Sequence, residues 1–164
     1  MRCLSFIVDD DYFAVDVTLV REFARKMTVT PVPSAPDAVI GITNMKGRVI
    51  TLLNLCELLG RKGRDSVDDT VSAILFKSLS GDEDQVGLKI DRPGELIDID
   101  DQDARKPSVS TEAEDSFCIS AIAGAGDRLY RIIDIYSIIE RYKSNGEKAA
   151  DSSLNGGTDD EQNE

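Results

Sequence analysis

Apolar and polar residues alternate over short stretches along much of the chain, mostly at the period of 2 that a half-buried strand requires. Leu4, Phe6 and Val8 alternate in this way, and Phe13, Val15 and Val17 repeat the pattern beyond Asp9-Asp10-Asp11. The two runs read as a hairpin around an acidic turn. Thr18 to Phe23 is expected to hold a single helical turn. Met27 to Pro36 carries three of the five prolines and is expected to run extended, because proline fixes φ and biases its predecessor away from helix. Val39 to Ile42 and Arg48 to Leu53 flank Asn44-Met45-Lys46-Gly47 as a second hairpin, with Gly47 or Asn44 as the residue that takes φ > 0. Asn54 to Gly60 reads as a short helix. Asn54 is its cap, Glu57 occupies the capping-box position and Gly60 closes it.

Strands resume at Val71 to Phe76 and Val86 to Ile90, joined by a polar turn with Gly81-Asp82-Glu83-Asp84, and a further strand is expected over Gly94 to Ile99. Asp100 to Ser116 is a long polar connection. Cys118 to Ala123 and Leu129 to Ile133 form a last hairpin around Gly124-Ala125-Gly126-Asp127. Ile135, Ile138, Ile139 and Tyr142 then recur at i, i+3, i+4, i+7, the apolar stripe of a docking helix. After Lys143 the chain turns rich in Ser, Asn, Gly and acids, which predicts a domain over residues 1–143 and a disordered acidic tail over 144–164. Many short strands with little helix favour small barrels.

The charge changes the list of possible partners. There are 31 acids against 19 bases, a net of −12. Six of those acids and one base lie from Asn145 onward, so the body carries 25 acids against 18 bases. Nucleic acid and anionic membrane surfaces both select for Lys and Arg, so neither is an expected partner. The sequence contains no His, which excludes Ser-His-Asp and Cys-His relays and His-ligated zinc. Cys3, Cys56 and Cys118 are widely spaced and odd in number, a pattern that fits a reducing, cytoplasmic compartment. The short apolar opening, closed by Asp9-Asp10-Asp11, reads as neither signal peptide nor spanning helix.

Few residues invite chemistry. Gly124-Ala125-Gly126 lacks the third Gly or Lys-Thr of a phosphate loop and reads as a hairpin turn. Asp98, Asp100, Asp101 and Asp103 cluster, but without the Gly and terminal Glu of a calcium loop, so a solvated acidic loop is expected and no metal. Carboxylate pairs also serve glycosidases, yet a chain with no Trp has little to build a sugar platform from. Cys56, beside Leu55 and Leu58, reads as a buried structural thiol. Met45 and Lys46 form an apolar-plus-basic tip that suits a contact surface.

The hairpin run Pro33-Ser34-Ala35-Pro36-Asp37-Ala38-Val39-Ile40-Gly41-Ile42-Thr43-Asn44-Met45-Lys46-Gly47-Arg48-Val49-Ile50 resembles the pattern V-P-x-A-P-x-x-[IV]-x-G-x-x-N-x-R-G-x-[IV] of CheW-like coupling proteins. Three further pieces resemble that family in the expected order. They are Ala14-Val15-Asp16 with Val20-Arg21-Glu22, then Gln85 to Asp91, then Ile122 to Asp134. The likeness runs from about Met1 to Lys143.

The resemblance implies a mainly β fold of two five-stranded SH3-like β-barrel subdomains sharing a core, with short helices and a C-terminal helix. It implies an adaptor without catalysis or cofactor, bridging the cytoplasmic tip of chemoreceptors to the regulatory domain of a CheA-type histidine kinase. Partner contacts are implied at Val20, Glu22, Asn44, Met45, Lys46 and Gly47. Lys46 places a point charge where the family usually presents the planar fork of Arg. Thr51 stands where Pro is common, and Asn54 where Asp is common. Read without the resemblance, Val20 is a core residue, Glu22 a surface charge and Lys46 a solvated tip. Two other functions remain on this sequence: the same module serving a different receptor–kinase system, or a metal or small-molecule domain using the acidic loop.

Overall fold

Three two-residue connections decide how the strands pair. The structure, a computed structural model, describes residues 1–62, 70–78, 85–107 and 117–154, with side chains as far as Asn145. β1 (Arg2–Val8) turns into β2 (Asp11–Asp16) through Asp9 and Asp10, which both hold positive φ, 49° and 67°. β4 (Val39–Met45) turns into β5 (Arg48–Asn54) through Lys46 and Gly47, at φ 54° and 80°. Paired positive φ values mark the turn whose twist matches that of the flanking strands. The residue with φ > 0 is thus Lys46 as well as Gly47, and not Asn44. Asn44 stays in β4 and accepts the Gly47 N–H on Oδ1 at 3.1 Å. β9 (Ile119–Ala125) and β10 (Arg128–Ile133) also meet across two residues, Gly126-Asp127, of which Gly126 has positive φ, 61°.

The remaining strands are β3 (Val20–Thr28), β6 (Thr70–Phe76), β7 (Gln85–Ile90) and β8 (Arg92–Asp98). The expected helical turn over Thr18 to Phe23 is confined to a 3-10 turn at Val17–Leu19, capped by Asp16, whose Oδ1 accepts Thr18 N–H at 2.9 Å. Val20 and Phe23, β-branched and aromatic, are already in β3, where pairing with β6 outweighs the local helical option. The turn expected around Gly81 to Asp84 lies outside the described residues.

Two five-stranded sheets result, in the orders β8-β1-β2-β10-β9 and β3-β6-β7-β5-β4. Each is closed by the chain that leaves one of its strands. Beyond β3, Thr30 and Ile42 exchange backbone hydrogen bonds of 2.8 and 2.9 Å, which joins β3 to β4. Gly41 permits that approach, because a Cβ there would overlap the Thr30 carbonyl. Beyond β8, Arg105 and Ile122 make the equivalent pair at 2.9 and 2.8 Å.

The fold is therefore two SH3-like barrels, and period 2 accounts for their cores. Along β6, Val71, Ala73 and Leu75 fill the second barrel with Ala24, Met27, Ile50 and Leu52, while Ile74 and Phe76 face the other way. They meet Phe6, Val8, Phe13 and Val15 of the first barrel in a shared core. Cys3, Ala14, Ala123, Tyr130 and Ile132 fill the first barrel itself. A strand buried on both faces reads as the nearly unbroken apolar run seen at Val71 to Phe76.

Two helices seal the shared core. α1 (Leu55–Leu58) is capped by Asn54, whose Oδ1 accepts Cys56 N–H at 3.0 Å. It closes with Gly60 N–H on the Glu57 carbonyl and Arg61 N–H on that of Cys56. The backbone N–H of Asn54 is engaged by the Ala38 carbonyl at 2.8 Å, so it is unavailable to Glu57 for a capping box. α2 (Ile135–Leu154) is capped by Asp134, which takes both the N–H and the hydroxyl of Ser137. Ile135, Ile138 and Ile139 are buried in the shared core and Tyr142 packs against it. The helical backbone continues through residues 144–154, where the sequence reads as tail; Glu147-Lys148-Ala149-Ala150 are strong helix formers. Residues 155–164 lie outside those described.

Candidate functional site: one end of the second barrel

The start of β3, the β4–β5 turn and the start of β7 meet at one end of the second barrel. Lys46 is at its tip, with its side chain 76% exposed, and its Nζ lies 4.0 Å from Glu22 Oε2. The turn that raises Lys46 is built by its neighbours. Asn44 anchors Gly47 N–H, and Met45, half-buried, packs against the second-barrel core. The structure thus joins Glu22 to the hairpin across 24 residues of sequence. Val20 is two residues further back, paired with Phe76, and its side chain packs on the shared core.

Two further residues complete the arrangement, and sequence reasoning missed both. Between the pairs Val20↔Phe76 and Glu22↔Leu75 the β3–β6 register shifts by one residue, leaving Arg21 as a bulge. Arg21 Nη2 lies 3.4 Å from Glu22 Oε1, and its Nη1 donates to the side-chain carbonyl of Gln85. Consecutive residues of a regular strand point to opposite faces, so only a bulge lets Arg21 and Glu22 meet. No sequence pattern announces the bulge. Gln85, first residue of β7 and buried, lies in the family-like stretch Gln85 to Asp91, but nothing local in the sequence signals its bond to Arg21.

Charge and burial elsewhere describe a framework. Asp11 accepts Arg61 at 2.5 Å and Arg131 at 3.2 Å, tying the segment after α1 to β2 and β10. Partial burial pushes the Asp11 carboxyl up, but hydrogen bonds and charge from Arg61 and Arg131 outweigh it and hold it below the usual carboxylate range. Burial pushes the Cys3 thiol up to about 11, helped by the negative charge of Asp16. Burial raises Cys56 as well, with Asp9 and Asp91 adding to the effect. Both are held as thiols, a poor state for a nucleophile.

The acidic stretch near Asp100 is likewise bound into local structure. Asp98 pairs with Arg2, and Asp100 Oδ1 accepts Gln102 N–H in a turn. Among the described residues no three acids or thiols converge in a way that could hold a metal ion. On the first barrel, an open groove of about 720 Å³ runs past Arg105, Lys106, Ile122 and Leu129, the last 70% exposed.

What the second-barrel end offers is a charged, solvent-facing tip on a tight turn beside apolar surface, with Val49 exposed on the adjoining strand. That is the chemistry of a protein contact. Known proteins resemble the chain as a whole. The chain is 28% identical to a chemotaxis protein CheW of Rhizobium meliloti over 137 residues, covering 82% of this chain and 84% of the relative. It is 28% identical to a chemotaxis protein CheW of Thermotoga maritima, covering 84% of this chain and 86% of the relative. The crystal structure of the scaffolding protein TtCheW from Thermoanaerobacter tengcongensis superposes with a TM-score of 0.70 at 23% identity, over 81% of this chain and 88% of that one, a likeness of fold. Residues 2–143 match the family model described as CheW-like domain, and the chain belongs to that family.

Proposed function

We propose that this protein is a non-catalytic adaptor that couples chemoreceptors to a CheA-type histidine kinase in chemotaxis signalling. The observation that carries the reading is the Glu22–Lys46 tip, an exposed ion pair raised on a tight turn in a chain of the CheW-like family. Val20, Glu22, Asn44, Met45, Lys46 and Gly47 form the contact region: Glu22 and Lys46 supply charge, Met45 and Val20 apolar flank, and Asn44 and Gly47 the turn. The partners are the regulatory domain of the kinase and the cytoplasmic tip of the receptors. A stable contact with either buries about 1,200–2,000 Å² in total.

The chemistry of the chain supports a role without catalysis. It has no His, and burial holds the Cys3 and Cys56 thiols protonated. Among the described residues no helix is long and apolar enough to cross a membrane. In this reading its place at the inner face of the membrane comes through the receptors it binds.

The test is calorimetric titration into the purified regulatory domain of the host's CheA-type kinase, with wild type and Lys46→Glu. Saturable binding that Lys46→Glu weakens at an unchanged melting temperature is the expected result. Equal binding by the two proteins removes Lys46 from the contact. Absence of binding to that kinase and to the receptor tip removes the chemotaxis reading. Lys46 in place of the family's usual Arg is the feature that favours a second reading, the same module in another receptor–kinase system.

A further inference from the structure

Arg21 belongs to none of the contact positions named above, yet its geometry bears on all of them. It is the extra residue of the β3 bulge, and the bulge turns its side chain onto the same side as that of Glu22. One guanidinium nitrogen, Nη2, reaches Glu22 Oε1 at 3.4 Å; the other, Nη1, donates to the buried Gln85. The side chain of Arg21 is 23% exposed, against 32% for Glu22 and 76% for Lys46. Burial thus deepens from the tip inward, and each group is held by the one beneath it. Gln85 fixes Arg21, Arg21 fixes one oxygen of Glu22, and the other oxygen is left for the Lys46 ammonium. The planar guanidinium fork directs Nη1 at Gln85 and Nη2 at Glu22 in one fixed geometry.

We propose that Arg21 is a positioning residue for partner recognition: without touching the partner, it orients the Glu22 carboxylate so that Glu22 and Lys46 are presented as one preset ion pair. The proposal rests on the coupling reading given above. Its energetic content is preorganisation. A carboxylate already held in its bound rotamer loses less freedom on association than one that swings freely.

The test is a double-mutant cycle on binding to the kinase regulatory domain, using wild type, Arg21→Gln, Glu22→Gln and the double variant, with Arg21→Lys as the conservative control. Arg21→Gln is expected to weaken binding up to about tenfold, the scale of freeing one ordered side chain when the Arg21–Glu22 ion pair is lost. In the Glu22→Gln background the same change is expected to cost nothing, because no carboxylate remains to orient. Arg21→Lys, which keeps the charge but not the fork, should fall between wild type and Arg21→Gln.

Unchanged affinity of Arg21→Gln overturns the proposal. An additive loss in the double variant also overturns it, since Arg21 then meets the partner directly. The free proteins give a second readout, the NMR signal of the Lys46 ammonium, which follows its pairing with Glu22. The proposal expects that signal to move in Arg21→Gln although Lys46 itself is intact, and an unmoved signal overturns it. If wild type binds neither kinase nor receptor tip, the coupling reading fails, and the ammonium signal still decides whether Arg21 sets the pair.

Discussion

Lys46 holds a backbone conformation that its side chain disfavours, and replacing it should therefore separate stability from recognition. At φ 54° it occupies the left-handed region. There Asn is enriched several-fold over ordinary residues, equivalent to about 0.6–1 kcal/mol. Lys46→Asn also creates Asn-Gly at a two-residue hairpin, the favoured pair for this turn. The loss to set against that gain is the ion pair with Glu22. At 4.0 Å and with Lys46 76% exposed, the pair is worth only about 0.2–0.5 kcal/mol. The difference favours the variant by a few tenths of a kcal/mol, or about 1–2 °C in melting temperature for a domain of this size. Thermal melts followed by circular dichroism measure the first half, and titration into the kinase regulatory domain the second. The expected result is a melting temperature equal to or above wild type with clearly weaker binding. A melting temperature several degrees lower would refute the reasoning, because Lys46 would then be part of the framework.

Other consequences concern the framework itself. Phe6 and Phe13 stack at 5.7 Å in the shared core, both essentially inaccessible, so Phe13→Ala should cost about 3–5 kcal/mol in urea unfolding, with both barrels lost in one transition. Two separate transitions would show that the core is not shared. The folded Asp11 carboxyl lies below its ordinary value of 3.8, so the unfolded chain binds the extra proton in acid. Its contribution is present above pH 3.8 and is lost as pH falls through the lower folded value; Asp11→Asn should flatten that part of a pH–stability profile. Cys3 shifts the opposite way, from 9.0 to about 11, so its contribution is complete below pH 9 and declines as pH rises towards 11. Because Cys3, Cys56 and Cys118 are all buried, a thiol-reactive dye should label none of them quickly in the native protein and all three in denaturant.

Much of the barrel architecture was legible because strand burial leaves its mark on the sequence: Leu4 to Val8 mostly alternates, and Val71 to Phe76, buried on both faces, is a nearly unbroken apolar run. α2 was equally clear, since Ile135, Ile138, Ile139 and Tyr142 make a stripe that only a docked helix explains. What escaped depends on partners distant in sequence. Asn54 N–H goes to Ala38 rather than to Glu57, and Val20 to Phe23 pair with β6 instead of coiling, outcomes set by tertiary neighbours. Positive φ at Lys46 follows from strand twist and the two-residue turn, not from any preference of lysine, whereas Asp9 and Asp10 are of a residue type that tolerates it. The proposed contact positions come from resemblance to a family pattern. The bonds of Arg21 to Glu22 and Gln85 beneath them depend on a one-residue bulge that neither the alternation of residues nor the family pattern encodes.

Bridging is the central claim, and co-sedimentation tests it most directly. Membrane vesicles carrying the host's chemoreceptors are mixed with its CheA-type kinase, with and without this protein. Kinase recovered with the vesicles is expected to rise as this protein is added, to saturate, and to fall back when Lys46→Glu is used instead. Kinase recovery that is the same with and without the protein would contradict it.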